Sequence, residues 1–287
     1  MQTLANLEPV DYLIIGHITQ DLTPDGLIPG GTASYSSLTA KAFGVRVGIV
    51  TACSPALDLS YLDGIAIRRK SSTFSSTFQN IYTTSGRTQT ILHMADELTL
   101  DDVPPAWRSA PIVHLGPLAG EIGLDLVSAF RGSQVGVTPQ GWMRGWNESG
   151  AVYFKPWKNA PQMLPYVHAA VMSIEDVRGD EEIVASFAAL LPILVVTEGA
   201  AGARVYWNGD VRNIRAPKEV ELDPIGAGDI FAASFFIRLN QTHDPWEAAR
   251  LATLLASHSV TRKGILGVPS WSEVTAFSTQ IIESQPS

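Results

Sequence analysis

The chain lacks the features that mark secreted and membrane proteins. Its 287 residues contain a single cysteine, Cys53, so no disulfide can form within one chain, and this fits a reducing compartment. No apolar run approaches the length needed to cross a bilayer, and residues 1–9 lack the charged and then apolar pattern of a signal peptide. We therefore expect a cytoplasmic protein that does not bind a membrane.

Positive charge and common catalytic motifs are scarce as well. The chain has 20 Lys and Arg residues against 28 Asp and Glu, a net charge of -8 that argues against a nucleic-acid partner. The sequence has no Gly-x-x-x-x-Gly-Lys-Ser/Thr loop, no Gly-x-Gly-x-x-Gly after its first strand and no Gly-x-Ser-x-Gly elbow. Its six histidines do not have the spacing of a zinc site. These absences disfavour P-loop ATPases, dinucleotide oxidoreductases, serine hydrolases and zinc enzymes.

What the chain does have is an alternation of buried strands with helices. Hydrophobic residues make up 45% of the sequence, enough for a large core. Short apolar runs predict strands, and amphipathic or small-residue segments predict helices between them. We therefore predict one α/β domain over 1–287, with a doubly wound, mostly parallel central sheet and helices on both faces. The strands are predicted near 10–16, 45–51, 112–117, 134–138, 167–173 and 192–197.

Two stretches, about 17–29 and 66–97, differ from this pattern. They are rich in β-branched, aromatic and polar residues, with turn signals at Asp25-Gly26 and Ser85-Gly86. A polar hairpin has little reason to lie in the main core, so we predict a small β-lid that projects over a site. An ordinary surface arm is the alternative. Exposed lid strand edges would allow two subunits to pair as a homodimer.

The segment Asp223-Pro224-Ile225-Gly226-Ala227-Gly228-Asp229 runs directly into an apolar helix. Glycines permit backbone angles that side chains forbid, and the start of a helix offers unpaired N–H groups that suit a phosphate. A carboxylate at that point repels a phosphate, which makes sense if Asp229 takes a proton from an attacking hydroxyl. The alternative is that Asp229 is an ordinary residue of a helix cap.

These residues resemble the ribokinase-like (PfkB) carbohydrate kinase family over nearly the whole chain. Asp223 to Asp229 looks like the family's signature Asp-Thr-x-Gly-Ala-Gly-Asp, and Gly30-Gly31 with its small-residue helix is similar to the N-terminal signature. The order of parts, including Val195-Val196-Thr197-Glu198-Gly199, matches too. The resemblance implies a three-layer ribokinase-like fold and an ATP-dependent kinase that phosphorylates a hydroxyl of a small sugar or polyol, ribose-like or inositol-like.

The resemblance also implies a role for individual residues. Asp229 would be the catalytic base, beside an anion hole formed by the N–H groups of Gly226, Ala227 and Gly228. The acceptor substrate would contact Asp21, Gly31, Tyr35, Asn80, Arg87 and Asp229. The nucleotide would contact Thr197, Gly199, Gly202, Gly226, Gly228 and Ser257. Asp176 and Glu175 would hold Mg²⁺ through water, and a monovalent cation such as K⁺ would bind near the signature loop.

Three departures from the family pattern keep alternatives open. Tyr35 stands where the family has an Asn that contacts the sugar, Ser173 and Asp176 replace an Asn-x-x-Glu pair, and Pro224-Ile225 displaces the signature Thr. A nucleoside kinase is one alternative, with Tyr35, Phe78 or Tyr82 stacked on the base. A ligand-binding relative without catalytic activity is the other.

Overall fold

A computed structural model describes residues 8–23, 26–83 and 86–283 of the chain. Within these ranges the strands are β1 Tyr12–Ile15, β2 Thr19–Thr23, β3 Gly26–Gly30, β4 Val47–Cys53, β5 Ala66–Ser71, β6 Thr77–Thr83, β7 Gly86–His93, β8 Ile112–Leu115, β9 Gln134–Val137, β10 Arg144–Trp146, β11 Val152–Phe154, β12 Ala169–Ser173, β13 Ile193–Thr197, β14 Ala203–Trp207 and β15 Asp210–Ile214. The α-helices are α1 Thr32–Ala42, α2 Leu124–Ala129, α3 Ala160–Met163, α4 Glu181–Ala188, α5 Ala227–Thr242, α6 Pro245–Ser259 and α7 Trp271–Glu283.

Nine strands form the central sheet in the order β15-β14-β13-β12-β9-β8-β1-β4-β5. Pairing is parallel from β13 to β5 and antiparallel at β13-β14 and β14-β15. Alternate residues of each strand face opposite layers: Leu13 and Ile15 lie in the core beside α2 and α4, and Tyr12 and Ile14 in the core beside α1, α5 and α6. The predicted doubly wound α/β fold is confirmed.

The topology places a crevice at the carboxyl ends of the parallel strands. β1 has β4 on one side and β8 on the other, so the chain order reverses at β1. In open α/β sheets, ligands bind outside the carboxyl ends of the strands at such a reversal. The segments that leave β1, β8, β9, β12 and β13 therefore surround one crevice.

A separate four-stranded sheet, the lid sheet, has the order β3-β2-β6-β7. It combines two distant stretches, because β2 pairs in parallel with β6 while both hairpins are antiparallel. The predicted boundary at residue 66 is wrong, since β5 pairs in parallel with β4 as the edge strand of the central sheet. The lid part of this stretch begins at β6. The basic residues Arg68 to Lys70 suit such an edge, where one side of the strand is unpaired.

Beside the crevice, the short hairpin β10-β11 follows a single-turn helix over residues 139–143. Its three-residue strands are too short for a periodic signal. Trp142 in this segment stacks on Trp157 with 4.5 Å between ring centroids, which anchors the hairpin to the core. In the described part of the chain, none of the helices has both the length and the apolarity to cross a bilayer.

Candidate active site

The centre of the crevice is the turn that opens α5. Gly226 is the N-cap residue with φ of 80°, a left-handed conformation that favours glycine. The Asp223 carboxylate fixes this turn, because Oδ1 accepts from the Ile225 N–H at 3.0 Å and Oδ2 accepts from the Gly264 N–H at 2.8 Å. Asp223 thereby joins the turn to the loop Gly264–Gly267.

The N–H groups of this turn differ in their availability. The Ala227 N–H donates to the Pro224 carbonyl at 3.2 Å, so the expected three-membered anion hole is not supported for Ala227 in this conformation. Gly226 and Gly228 have no N–H partner within the part of the chain that the structure describes. Two N–H groups at the start of a helix therefore remain to hold an anion.

Asp229 lies in the first turn of α5 and is partly buried. Burial raises its pKa from 3.8 to about 6. The Thr32 hydroxyl and the Arg144 guanidinium oppose this rise, whereas the carboxylates of Asp176 and Asp21 add to it. A carboxylate with a pKa near neutrality suits a general base, because it is largely ionised at pH 7 and still basic enough to accept a proton.

On the acceptor side, the lid sheet lies against the start of α1. Gly31 is the N-cap of α1 with φ of 87°, and a Cβ there would lie 2.9 Å from the His17 carbonyl oxygen. Asp21 Oδ2 would lie 2.6 Å from a Cβ on Gly30. Only glycine fits these contacts, so Gly30-Gly31 lets β2 and Asp21 approach the helix start closely.

Three polar side chains cross the inner face of the lid sheet. Gln89 Nε2 donates to Asn80 Oδ1 at 2.9 Å, and Asn80 Nδ2 donates to Asp21 Oδ1 at 3.4 Å. Gln89 was not predicted, although its register opposite Asn80 puts it on the same face. The side chain of Arg87 lies outside the described residues, so its expected role stays a prediction.

Tyr35 does not occupy the expected substrate position. Its side chain is 1% exposed and packs with Ile230, Leu251 and Leu255. A Cβ on Gly226 would lie 2.2 Å from Tyr35 Cδ1, so the ring lies directly against the Gly226 turn. Tyr35 lies on the predicted helix, but the direction of its side chain depends on packing against α5 and α6.

The residues expected to hold magnesium lie just after β12. Asp176 Oδ2 accepts from the Ser173 N–H at 2.9 Å, and Oδ1 accepts from Gln140 Nε2 at 2.8 Å. Gln140, which was not predicted, thus fixes the Asp176 carboxylate. Glu175 is exposed. Among the described residues there is no ready-made cluster of three or more metal ligands, so Asp176 offers one hard oxygen donor near Asp229.

Arg144 is the functional candidate that sequence reasoning missed. Its Nη1 donates to the Leu118 carbonyl at 3.4 Å, and its guanidinium lies 5.7 Å from the ring centroid of Phe78 in the lid sheet. Its charge lowers the pKa of Asp229. Arg144 therefore brings a cation to a crevice with several carboxylates. The sequence signal was only an arginine among the residues that follow β9.

The residues expected at the nucleotide lie around the end of β13. Thr197 Oγ1 donates to the Met172 carbonyl at 3.4 Å, and Gly199 starts a single turn of helix. Gly202 has φ of 105°, and a Cβ there would lie 2.0 Å from the Ile214 carbonyl oxygen. Ser257 is partly buried on α6. Their contact with a nucleotide stays a prediction.

The crevice thus has a carboxylate, Asp229, at a glycine turn on the carboxyl side of a doubly wound sheet. Residues 158–271 match the model of the pfkB family carbohydrate kinases. The chain is 27% identical over 272 residues to a cytidine kinase from Thermococcus kodakarensis (strain ATCC BAA-918 / JCM 12380 / KOD1), covering 84% of this chain and 93% of that relative.

Solved structures agree on the fold. A pyrophosphate-dependent kinase of the ribokinase family, complexed with a pyrophosphate analog and myo-inositol, superposes with a TM-score of 0.78 at 21% identity, covering 92% of this chain and 99% of that one. Arabidopsis thaliana ribokinase complexed with ribose and ATP gives a TM-score of 0.74 at 16% identity, covering 94% and 99%. These structures show a ribokinase-like fold for the chain, and the family model and the relatives that are similar to it are those of kinases.

Proposed function

We propose that this protein transfers the terminal phosphoryl group of ATP to a hydroxyl of a small sugar or polyol. The observation that carries this proposal is Asp229, with a pKa of about 6, at a turn whose Gly226 and Gly228 N–H groups have no partner in the described chain. A base and an anion site at one helix start are what hydroxyl attack on a phosphate requires.

In the proposed reaction, Asp229 takes the proton from the acceptor hydroxyl as that oxygen attacks the γ-phosphorus of ATP. The bond from this phosphorus to the β-phosphate oxygen breaks, and ADP leaves. The N–H groups of Gly226 and Gly228 stabilise the charge on the transferred group, and Arg144 offsets the negative charge of the crevice. Bound Mg²⁺ would neutralise phosphate charge, with Asp176 holding it through water. General-base catalysis of this kind typically contributes about 10²–10⁴-fold in rate.

The inner face of the lid sheet supports a polyhydroxylated acceptor. Asp21, Asn80 and Gln89 form a continuous polar line there. The lid aromatic Phe78 is buried beneath Arg144, and Tyr35 is buried under Gly226, so neither offers an open ring face to a base. A nucleoside is the second candidate, because the similar cytidine kinase matches over most of both chains.

The donor side supports a nucleotide over pyrophosphate alone. Leu222 and Leu266 are exposed on the two segments that Asp223 joins. Exposed leucines on these two segments would suit a purine ring, which pyrophosphate lacks. Pyrophosphate still belongs in the test, because the similar kinase with myo-inositol was solved with a pyrophosphate analog.

The test is a phosphoryl-transfer assay with Mg²⁺, with ATP or pyrophosphate as donor and with ribose, myo-inositol and cytidine as acceptors. We expect ATP-dependent transfer to a sugar or polyol, and a loss of about 10²–10⁴-fold in Asp229→Asn. Preferred turnover of cytidine would favour the nucleoside candidate. Turnover with none of the acceptors, or full activity in Asp229→Asn, would contradict the proposed mechanism and favour a ligand-binding relative.

A thermal unfolding experiment shows whether Asp229→Asn is folded. The sign of the stability difference between this variant and the wild type can also be predicted. The pKa of Asp229 in the folded chain, about 6, exceeds the ordinary 3.8, so the wild type loses stability as pH rises through 6. Asparagine does not ionise, so Asp229→Asn does not lose this stability. Asp229→Asn should be more stable than the wild type at pH 8, by on the order of 2–3 kcal/mol, and the difference should shrink towards pH 4.

A further inference from the structure

Tyr35 carries a buried polar group that the proposed mechanism does not use. Its hydroxyl is shielded from solvent and has no hydrogen-bond partner among the described residues. Buried hydroxyls without a partner are uncommon, because folding removes their water without replacing it. Such a group in a native protein calls for an explanation, such as a partner that arrives later.

The position of Tyr35 suggests where that partner comes from. Tyr35 belongs to α1, whose start lies beside the lid sheet. The edge of its ring lies against Gly226 at the anion site. Its hydroxyl would lie 3.9 Å from a Cβ on Gly264, in the loop that Asp223 ties to the same turn. The hydroxyl therefore sits where the Gly226 turn and the loop Gly264–Gly267 meet.

Burial and the charges around Tyr35 determine the protonation state of its hydroxyl. Burial raises the pKa of Tyr35, and the carboxylates of Asp229, Asp223 and Asp21 raise it further. The phenol therefore keeps its proton throughout the working pH range. A protonated phenol without a partner can donate a hydrogen bond. The accepting oxygen could belong to the bound phosphoryl donor, or to a backbone carbonyl that the binding of this donor brings into place.

We propose that Tyr35 is a positioning residue for the phosphoryl donor: its hydroxyl takes up a hydrogen-bond acceptor only when the donor binds, and this bond fixes the Gly226 turn against the loop Gly264–Gly267. The proposal rests on the proposed kinase function. It also accounts for the tyrosine at this position of α1, because a shorter side chain would reach neither Gly226 nor the loop.

The test compares the wild type with Tyr35→Phe, which removes only the hydroxyl. We expect the variant to be at least as stable as the wild type without ligand, because no hydrogen bond is lost. With ATP and Mg²⁺, we expect a smaller rise in the unfolding midpoint and a KM for ATP about 3–10-fold higher, while the KM of the acceptor is unchanged.

Tyr61→Phe is the matched control. The Tyr61 hydroxyl is already paired with Ser34 Oγ at 2.9 Å, so its removal should destabilise the free protein and leave the KM for ATP unchanged. The inference is overturned if Tyr35→Phe keeps the wild-type KM for ATP and the wild-type ATP-induced shift, or if it destabilises the free protein. A wild type that responds to neither ATP nor pyrophosphate overturns the proposed function, and this inference with it.

Discussion

The pKa of Asp229 is set by burial and by side chains from four separate segments of the chain. Thr32 comes from α1, Arg144 from the hairpin after β9, Asp176 from the segment after β12 and Asp21 from the lid sheet. Two of them lower the pKa of Asp229 and two raise it, while burial sets the overall direction. The basicity of one carboxylate therefore depends on the whole crevice.

The contribution of Arg144 can be measured through pH dependence. In Arg144→Met the loss of the cation should raise the pKa of Asp229, so the acidic limb of the kcat/KM profile should move to higher pH. We expect the ratio of kcat/KM at pH 6 to that at pH 8 to fall roughly threefold or more. Arg144→Lys, which keeps a positive charge, is the control. Identical pH profiles for Arg144→Met and the wild type would rule out this electrostatic role.

Among individual residues of the site, the sequence could identify only those that lie within motifs. Asp229, Gly226 and Gly31 lie in recognisable glycine turns, and the structure brings them to one crevice. Arg144 and Gln140 lie in no motif; they reach the crevice because β9 ends beside β8 and β12. The orientation of a side chain such as Tyr35 depends on packing between helices, which a single sequence does not encode locally.

At the scale of elements, the start of α5 depends on a backbone conformation rather than on a side chain. Gly226 has φ of 80° and lies against the Tyr35 ring, whereas Gly228 has open space around its Cβ position. Both glycines belong to the same signature. Because their surroundings differ, alanine substitutions at Gly226 and Gly228 can test whether activity depends on the backbone conformation of Gly226.

Gly226→Ala should lower kcat/KM by more than 10²-fold, because a methyl group at 2.2 Å from Tyr35 Cδ1 displaces the turn and its N–H groups. Gly228→Ala keeps its N–H and meets no atom within 4 Å, so it should retain most of the activity. Steady-state kinetics and unfolding midpoints of both variants provide the measurement. Equal activity of the two variants would contradict a special role for the Gly226 conformation.

Element prediction succeeded where periodicity was strong. Buried apolar strands such as β13 and the small-residue helix α1 were found because their patterns extend over several residues. The pattern could not assign β5 to its sheet, because a polar strand looks the same at the edge of either sheet. Sheet membership is decided by pairing between distant segments, and the sequence of one strand does not contain it.

At the scale of the whole molecule, the outer face of the lid sheet stands out. Leu27 and Ile81 are 53% and 49% exposed there, on strands β3 and β6. The inner face carries Asp21, Asn80 and Gln89. A sheet with a polar inner face and apolar residues outside is consistent with our prediction that two lids pair in a homodimer.

Light scattering of the wild type should therefore give the mass of a dimer. Leu27→Lys combined with Ile81→Lys should shift the protein towards the monomer, because charges on both strands oppose the association of two apolar surfaces. Val211→Lys is the control, since Val211 is 51% exposed but lies on β15 of the central sheet. A wild-type mass of one chain at micromolar concentration would contradict the dimer.

The solitary thiol has a practical consequence for studying this lid. Cys53 is buried in β4, and burial raises its pKa, so it reacts poorly with thiol-directed dyes. The chain has no other cysteine, and new cysteines can therefore be labelled without first removing a native one. A dye on Ile81→Cys and another on Val211→Cys would report the distance between the lid sheet and the central sheet by energy transfer. The distance could be followed in solution and in real time as the phosphoryl acceptor and ATP are added.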